Sequence, residues 1–233
     1  MNWSSIWAAR PILSDTPDLA ELIACDGFDR ESHITQEYWL QYVLHVAEKL
    51  ELGNTQHVLE VGCGSGAFIW PLYQRGLLVS GIDFSAPLIT AAKQMMPKGD
   101  FYLSEANQPF PGGKVYDAII SNSVFQYFPD LLYTQHVLQH MGASLKPGGK
   151  IAILDVVNEA TLESCHRGRT TTPGDDVSLA HLSFAKNFFL KQFPSPAWKV
   201  TIEDQHIPQY QNSPFRYNVY IDHLSLDALE QTL

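Results

Sequence analysis

The sequence predicts an α/β fold: a doubly wound, mostly parallel sheet with helices on both faces. Two observations carry this reading. Between residues 57 and 157 short apolar runs alternate with segments of helical periodicity, as expected of parallel strands joined by crossover helices. The first of these runs ends in glycines at Gly62, Gly64 and Gly66, just before a helical segment, which is the strand-loop-helix arrangement of nucleotide-binding domains.

Each element follows from a local pattern. Residues 35–52 place Tyr38, Leu40, Tyr42, Val43, Val46, Ala47 and Leu50 at roughly helical spacing, and Gly53-Asn54 ends that helix. His57–Val61 is the first strand, and 67–75 is a helix closed by Gly76, with Pro71 near enough to its start to be tolerated. Leu77–Asp83 is a second strand, 85–95 a helix stopped near Pro97, and Phe101–Ser104 a third strand. Tyr116–Asn122 is a fourth strand, 130–145 a helix, and Lys150–Val157 a fifth strand after the turn Lys146-Pro147-Gly148-Gly149. Beyond Val157 the pattern changes. Residues 158–177 are polar and read as a surface loop or cap, Ser178–Phe193 as a helix, and 198–207 and 215–223 as strands close enough in sequence to pair antiparallel. The expected organisation is a single domain over 1–233. It has an N-terminal helical cap at 1–54, a cofactor-binding core at 55–157, a cap loop and helix at 158–195 and a terminal β-hairpin at 196–233.

With 233 residues, 45% hydrophobic and 17% charged, the chain can bury a full core and is neither disordered nor fibrous. A formal charge of -10 without any Lys/Arg run argues against a nucleic-acid partner. Cys25, Cys63 and Cys165 show no C-x-x-C spacing, so neither a disulfide framework nor a structural zinc site is expected, and a reducing cytoplasm fits. No apolar stretch approaches the roughly 20 residues of a membrane helix, and the first fifteen residues lack the basic-then-apolar order of a secretory signal. A soluble, cytoplasmic protein without a membrane partner is expected, and the oligomeric state is not readable.

The glycine loop lets the backbone approach a ligand where a Cβ would clash. About twenty residues on, Asp83 closes the second strand, where a carboxylate can accept hydrogen bonds from both hydroxyls of a ribose. Loop and acid also satisfy the dinucleotide pattern, so two cofactor classes compete. Glu60 helps to separate them: an acid just before the glycines sits poorly beside a pyrophosphate and well beside cationic groups.

Taken together, V-L-E-V-G-C-G-S-G at 58–66, G-I-D-F-S at 81–85, Glu105-Ala106 after the third strand, Y-D-A-I-I-S-N-S-V-F-Q-Y-F at 116–128 and L-K-P-G-G-K at 145–150 resemble the class I S-adenosylmethionine (SAM)-dependent methyltransferases. The resemblance covers about residues 55–157. It implies a seven-stranded sheet with an antiparallel last strand, in agreement with the independently read hairpin. It also implies SAM as cofactor, with S-adenosylhomocysteine as product. The cofactor-binding residues it implies are Glu60, Gly62, Cys63, Gly64 and Gly66 around the methionyl part, Asp83 and Phe84 at the ribose, and Glu105 and Ala106 at the adenine. Ser121, Asn122 and Gln126 fall beside the cofactor by position at the end of the fourth strand.

Methyl transfer is an in-line displacement at an activated carbon, so the protein mainly aligns the acceptor and excludes water. His33, Tyr127 and His181 are the candidates for a base near the acceptor. His206 is a weaker alternative base, Tyr38, Tyr210 and Tyr217 are candidates to line an acceptor pocket, and Arg167, Arg169 and Arg216 offer contacts to an anionic acceptor. Trp3 and Trp7 read as a flap over the cofactor or as packing of the terminus. The Asn/Asp-Pro-Pro-aromatic motif of nucleobase amino methyltransferases is missing at Ser121-Asn122-Ser123-Val124. His136 and His140 lie four apart without a third ligand, and Cys165-His166 lies in a polar loop, so no metal is expected. The expected activity is methyl transfer to an N or O atom of a small-molecule acceptor. An NAD-dependent oxidoreductase and a non-catalytic nucleotide-binding module are the alternatives.

Overall fold

The computed structural model describes residues 3–8, 14, 17–28, 34–161, 181–207 and 210–225. Among the described residues, three helices precede the sheet: α1 (Trp3–Ala8), α2 (Leu19–Cys25) and α3 (Gln36–Lys49). Then follow β1 (His57–Val61), α4 (Trp70–Gln74), β2 (Leu78–Asp83), α5 (Ala86–Met95), β3 (Asp100–Leu103), β4 (Tyr116–Asn122), α6 (Leu131–Ala143), β5 (Leu145–Val157), α7 (Asn187–Gln192), β6 (Trp198–Asp204) and β7 (Arg216–His223). The strands form one seven-stranded sheet in the order β3-β2-β1-β4-β5-β7-β6. Strands β1 to β5 run parallel, while β7 is antiparallel to β5 and to β6. This is the doubly wound sheet with a terminal hairpin that the sequence predicts.

Side chains along the central strands alternate between two cores, as the period of two in a strand requires. Ala118, Ile120, Ala152 and Leu154 face a core shared with Leu22 of α2, Trp39 and Val43 of α3, Leu72 of α4 and Ala92 of α5. Ile119, Ile151 and Ile153 face the opposite core, filled by Val137 and Met141 of α6, Phe189 of α7 and Tyr217 of β7. Because both faces are covered, the strands read as near-continuous apolar runs.

The caps explain where several helices begin. Asp18 accepts from the Glu21 amide at 3.0 Å while the Glu21 carboxylate accepts from the Asp18 amide at 3.1 Å, a reciprocal capping box for α2. Asp130 caps α6 through the Tyr133 amide at 2.7 Å. Helix α4 starts at Trp70 rather than near Ala67, with Pro71 in its first turn, where the missing N–H costs no helical bond.

Two local expectations change. The segment from 178 to 193 is not one helix: α7 is confined to Asn187–Gln192, and residues 178–180 lie outside the described residues. Before α7 the chain is held by tertiary hydrogen bonds, from the Leu182 amide to the Gln126 carbonyl and from the Phe184 amide to the Val157 carbonyl, both at 2.9 Å. These bonds, with Phe184 buried, outweigh helical propensity. Strand β5 also begins at Leu145, which pairs with Tyr116 before a register shift lets Ala118 pair with Lys150. The Pro-Gly-Gly turn is therefore a bulge inside the strand. The polar loop beyond Thr161, with Cys165, His166, Arg167 and Arg169, lies outside the described residues. Among the described residues, no helix is long and apolar enough to cross a membrane.

Candidate functional site

The strand order reverses between β1 and β4, since β2 and β3 lie on one side of β1 while β5 lies beyond β4. In open α/β sheets ligands bind at such a switch point, outside the carboxyl ends of the strands. There the chain forms a cavity of about 500 Å³, within the range of small-molecule sites. Residues from α1, the turn after α2, α3, the glycine loop and the ends of β2, β3 and β4 line it.

The glycine loop is held open by backbone bonds. The Gly62 and Cys63 amides both donate to the Ile82 carbonyl, at 2.8 and 3.0 Å. Gly62 has a φ of 74°, and a Cβ there would lie 2.5 Å from Val124, so the position excludes any side chain. The Gly64 amide donates to Asp83 Oδ2 at 3.0 Å and the Ser85 amide to Asp83 Oδ1 at 2.8 Å. Asp83 is thus oriented by two amides, and it lines the cavity. Its pKa is raised by burial, with the two amides and that of Phe84 pulling the other way.

Three more carboxyl groups line the same space: Asp26, Glu60 and Glu105. Asp26 Oδ1 accepts from the Ser65 amide at 2.8 Å and Oδ2 from the Ala67 amide at 3.2 Å. Burial pushes its carboxyl up to about 7. Glu60 is buried, and its Oε2 has no hydrogen-bond partner. Burial, reinforced by Asp26 and Asp83, holds that carboxyl well above its ordinary range. Glu105 is fixed by the Tyr133 hydroxyl, which donates to Oε2 at 2.9 Å. Burial also raises the Cys63 thiol, so it is a neutral part of the wall and not a nucleophile.

At the other end of the cavity stand Asn122, Ser123 and Tyr127. Asn122 Oδ1 accepts from the Tyr42 hydroxyl at 3.2 Å. Tyr127 packs edge-on against Trp3 and Trp7, with centroids 4.9 and 5.2 Å away, so α1 forms a wall of the cavity. Behind Ser123 lies a buried polar cluster. The Ser123 and Tyr210 hydroxyls donate to Asp155 Oδ2 at 2.6 and 3.1 Å, and Arg216 Nε lies 3.3 Å from Oδ1.

Of the sequence-predicted residues, the structure brings Glu60, Gly62, Cys63, Gly64, Asp83, Phe84, Glu105, Ala106, Asn122 and Tyr127 together around the cavity. It does not bring Gly66, Ser121 or Gln126 to the wall. Gly66 shapes the turn, with a φ of 92° and its side-chain position filled by Met96. The Ser121 hydroxyl donates to the Val61 carbonyl at 2.9 Å inside the sheet, and the Gln126 amide turns back to Ser123 Oγ at 2.8 Å. His181 stacks on Trp3 at 4.8 Å, behind the wall, and His33 lies outside the described residues. Tyr217 is a core residue donating to the Phe184 carbonyl, and Arg216 serves Asp155. His140 faces the Asn107 carbonyl at 3.1 Å, and no group of metal-ligating residues occurs among the described ones.

Sequence reasoning missed Asp26 altogether. A signal existed: Asp26 is the C-terminal cap of α2, where the helix dipole disfavours an anion, so an acid there needs another reason.

A glycine loop at the switch point, an oriented carboxylate at the end of β2 and a terminal antiparallel hairpin together define a Rossmann-like, nucleotide-cofactor type of α/β domain. Comparison with known proteins makes the class specific. Residues 59–151 match the methyltransferase domain family. A malonyl-[acyl-carrier protein] O-methyltransferase of Ilyobacter polytropus is 30% identical over 139 residues, covering 55% of this chain and 50% of that one. A trans-aconitate 2-methyltransferase of Delftia acidovorans is 31% identical over 109 residues, covering 45% and 40%. The chain thus spans about half the length, or less, of these curated relatives. Among solved structures, the N-methyltransferase NodS of Bradyrhizobium japonicum superposes with a TM-score of 0.62 at 18% identity, covering 88% of this chain and 96% of that one. A SAM-dependent methyltransferase of Clostridium acetobutylicum superposes with a TM-score of 0.64 at 12% identity, covering 83% and 93%. Residues 59–151 are thus similar to the methyltransferase domain family, and the chain shares the Rossmann-like fold of solved SAM-dependent methyltransferases.

Proposed function

We propose that the protein binds SAM in the switch-point cavity and transfers its methyl group to an N or O atom of a small-molecule acceptor, leaving S-adenosylhomocysteine. The observation that carries this is the glycine cradle walled by four carboxyl groups, one of them Glu60 with an orphaned Oε2. An unpaired buried acid is costly unless a cationic or donor group arrives to meet it, and SAM brings a sulfonium and an ammonium. Relatives and structural neighbours support the reading: NodS was crystallised with S-adenosylhomocysteine, and the curated relatives are by name a malonyl-[acyl-carrier protein] O-methyltransferase and a trans-aconitate 2-methyltransferase.

When bound, SAM supplies a methyl carbon already activated for displacement. What remains for the chain is binding, alignment and exclusion of water. Asp83, held by the Gly64 and Ser85 amides, would accept from ribose hydroxyls, and Glu105, held by Tyr133, from the adenine amino group. Gly62, Cys63, Gly64 and Phe84 would form the cradle, with Ala106 beside the base. Trp3, Trp7 and Tyr127 would shield the transfer from solvent, and the Tyr127 hydroxyl, with Asn122 and Ser123, would orient the acceptor. We read the chain as a single domain whose N-terminal helices complete the cofactor site. A cytoplasmic setting accords with the free thiol of Cys63.

Isothermal titration of the full chain with SAM, S-adenosylhomocysteine and NADH tests the cofactor. The expected result is binding of the first two and none of NADH. Incubation with methyl-labelled SAM and a metabolite extract then tests transfer, with label moving to a small molecule. Tight NADH binding without SAM binding overturns the proposal.

A further inference from the structure

The turn after α2 delivers one side chain to the glycine loop. Both oxygens of Asp26 are engaged by loop amides, from Ser65 at 2.8 Å and Ala67 at 3.2 Å, and a Cβ on Gly64 would collide with that carboxyl group. Successive amides at such a loop form a nest that attracts anions. Here the nest is filled by the chain's own carboxylate, so a phosphate or carboxylate brought by a ligand would meet like charge in place of donors. The same carboxyl group lines the cavity. Beside it lies Glu60, only 3% exposed, lining the same cavity and with Oε2 unpartnered. A carboxyl group held open to a cavity next to an orphaned one is half of an ion pair.

The tie also joins distant parts of the chain. Ser65 Oγ donates to the Leu22 carbonyl of α2 at 3.2 Å, and Trp39 Nε1 of α3 donates to the Ala67 carbonyl at 2.8 Å. The N-terminal helices are therefore docked on the loop itself, not merely beside it.

We propose that Asp26 is a specificity-determining residue of the cofactor site: it keeps anionic groups off the glycine-loop amides and, with Glu60, receives the ammonium of the cofactor's amino-acid portion. The proposal rests on reading the cavity as a SAM site. It makes docking of α2 and binding of the cofactor one event, because the same carboxylate serves both.

The groups facing Asp26 are Glu60 at the end of β1, Asp83 at the end of β2 and the Cys63 thiol of the loop. Burial raises all four, and Asp26 to about 7. A cationic ligand favours the ionised form, so binding below pH 7 releases a proton from Asp26 and affinity rises with pH. The test is isothermal titration of SAM into the full-length parent and Asp26→Asn between pH 6 and pH 8. Glu60, Asp83 and Cys63 are retained in the variant, so the difference between the two profiles isolates Asp26. The expected loss in Asp26→Asn is about tenfold or more at pH 8, shrinking towards pH 6, as befits loss of a hydrogen bond to a charged group. An equal loss at both pH values would mean a merely structural residue and would overturn the proposal, as would unchanged affinity. Should Asp26→Asn fail to fold, a parent affinity independent of pH overturns it without a variant. No SAM binding by the parent at any pH removes the cofactor reading and this proposal together, whereas pH-independent binding removes this proposal alone.

Discussion

At the scale of single residues the site is a set of carboxyl groups kept at high energy by burial. Glu60 is the extreme case, with an orphaned Oε2 and two acids facing it. Replacing it by an isosteric amide removes a buried acid that can ionise only at a cost, and with it the repulsion of its ionised form. Glu60→Gln is therefore expected to stabilise the ligand-free protein by about 1 kcal/mol, seen as a rise of about 2–4 °C in Tm at pH 8, while SAM affinity falls at least about tenfold. Calorimetry measures both; a drop in Tm together with unchanged affinity would mean that Glu60 is structural. The acids at 60 and 83 were legible in the sequence because short local constraints place them: Glu60 is the last but one residue of β1, just before the glycines, and Asp83 is the last of β2. Asp26 was not, since its amide partners lie 39 and 41 residues away and no spacing rule spans that gap. Ser121 and Asn122 show a finer limit. Both end β4, but neighbouring side chains point to opposite sides, which leaves Asn122 on the cavity wall and Ser121 inside the sheet.

At the scale of elements, the hairpin β6–β7 is attached to β5 by more than its ladder. The ladder skips between Ile153 and Val156, and at this irregularity Asp155 takes a φ of 59° and turns its carboxyl group inward to Arg216, the first residue of β7. Arg216 and Asp155 are 4% and 1% exposed, so removing either leaves a buried charge uncompensated. Arg216→Met is expected to cost about 3–5 kcal/mol in urea unfolding, and Arg216→Met with Asp155→Asn to cost clearly less. Equal losses in the single and double variants would contradict the ion-pair account. Strands were the most legible elements, because covering both faces of a parallel sheet forces continuous apolar runs. The extended stretch before α7 was not, because it is set by hydrogen bonds to Gln126 and Val157 in other elements. Helix α2 was read only as part of a helical cap, since seven residues carry too few turns for periodicity to show.

For the whole molecule, the same acids set how stability depends on pH. An acid whose pKa is raised in the folded state is more protonated there than in the unfolded chain. Its contribution is intact below the unfolded value and lost as pH rises through the folded one. Asp26 moves from 3.8 to about 7, so it weakens the fold progressively across that window. Glu60, Asp83 and Asp155 are raised as well, chiefly by burial, and act with the same sign. Asp117 opposes them. Burial works to raise it, but the His57 amide and Lys146 outweigh that and lower it, so its contribution is present above its ordinary value and disappears only in acid. A formal charge of -10 adds repulsion that grows as the last acids ionise. The ligand-free protein is therefore expected to lose Tm as pH rises towards about 7, whereas ion pairing alone would leave Tm level or rising. A bound cation reverses the balance by favouring the ionised forms of Asp26, Glu60 and Asp83. Saturating SAM should then raise Tm more at pH 8 than at pH 6, the increment following RT ln(1 + [L]/Kd). Thermal scans across this range, with and without SAM, measure both slopes. A ligand-free Tm that climbs from pH 6 to pH 8, or a SAM increment that shrinks with pH, would show that these acids are not the groups that couple folding to cofactor.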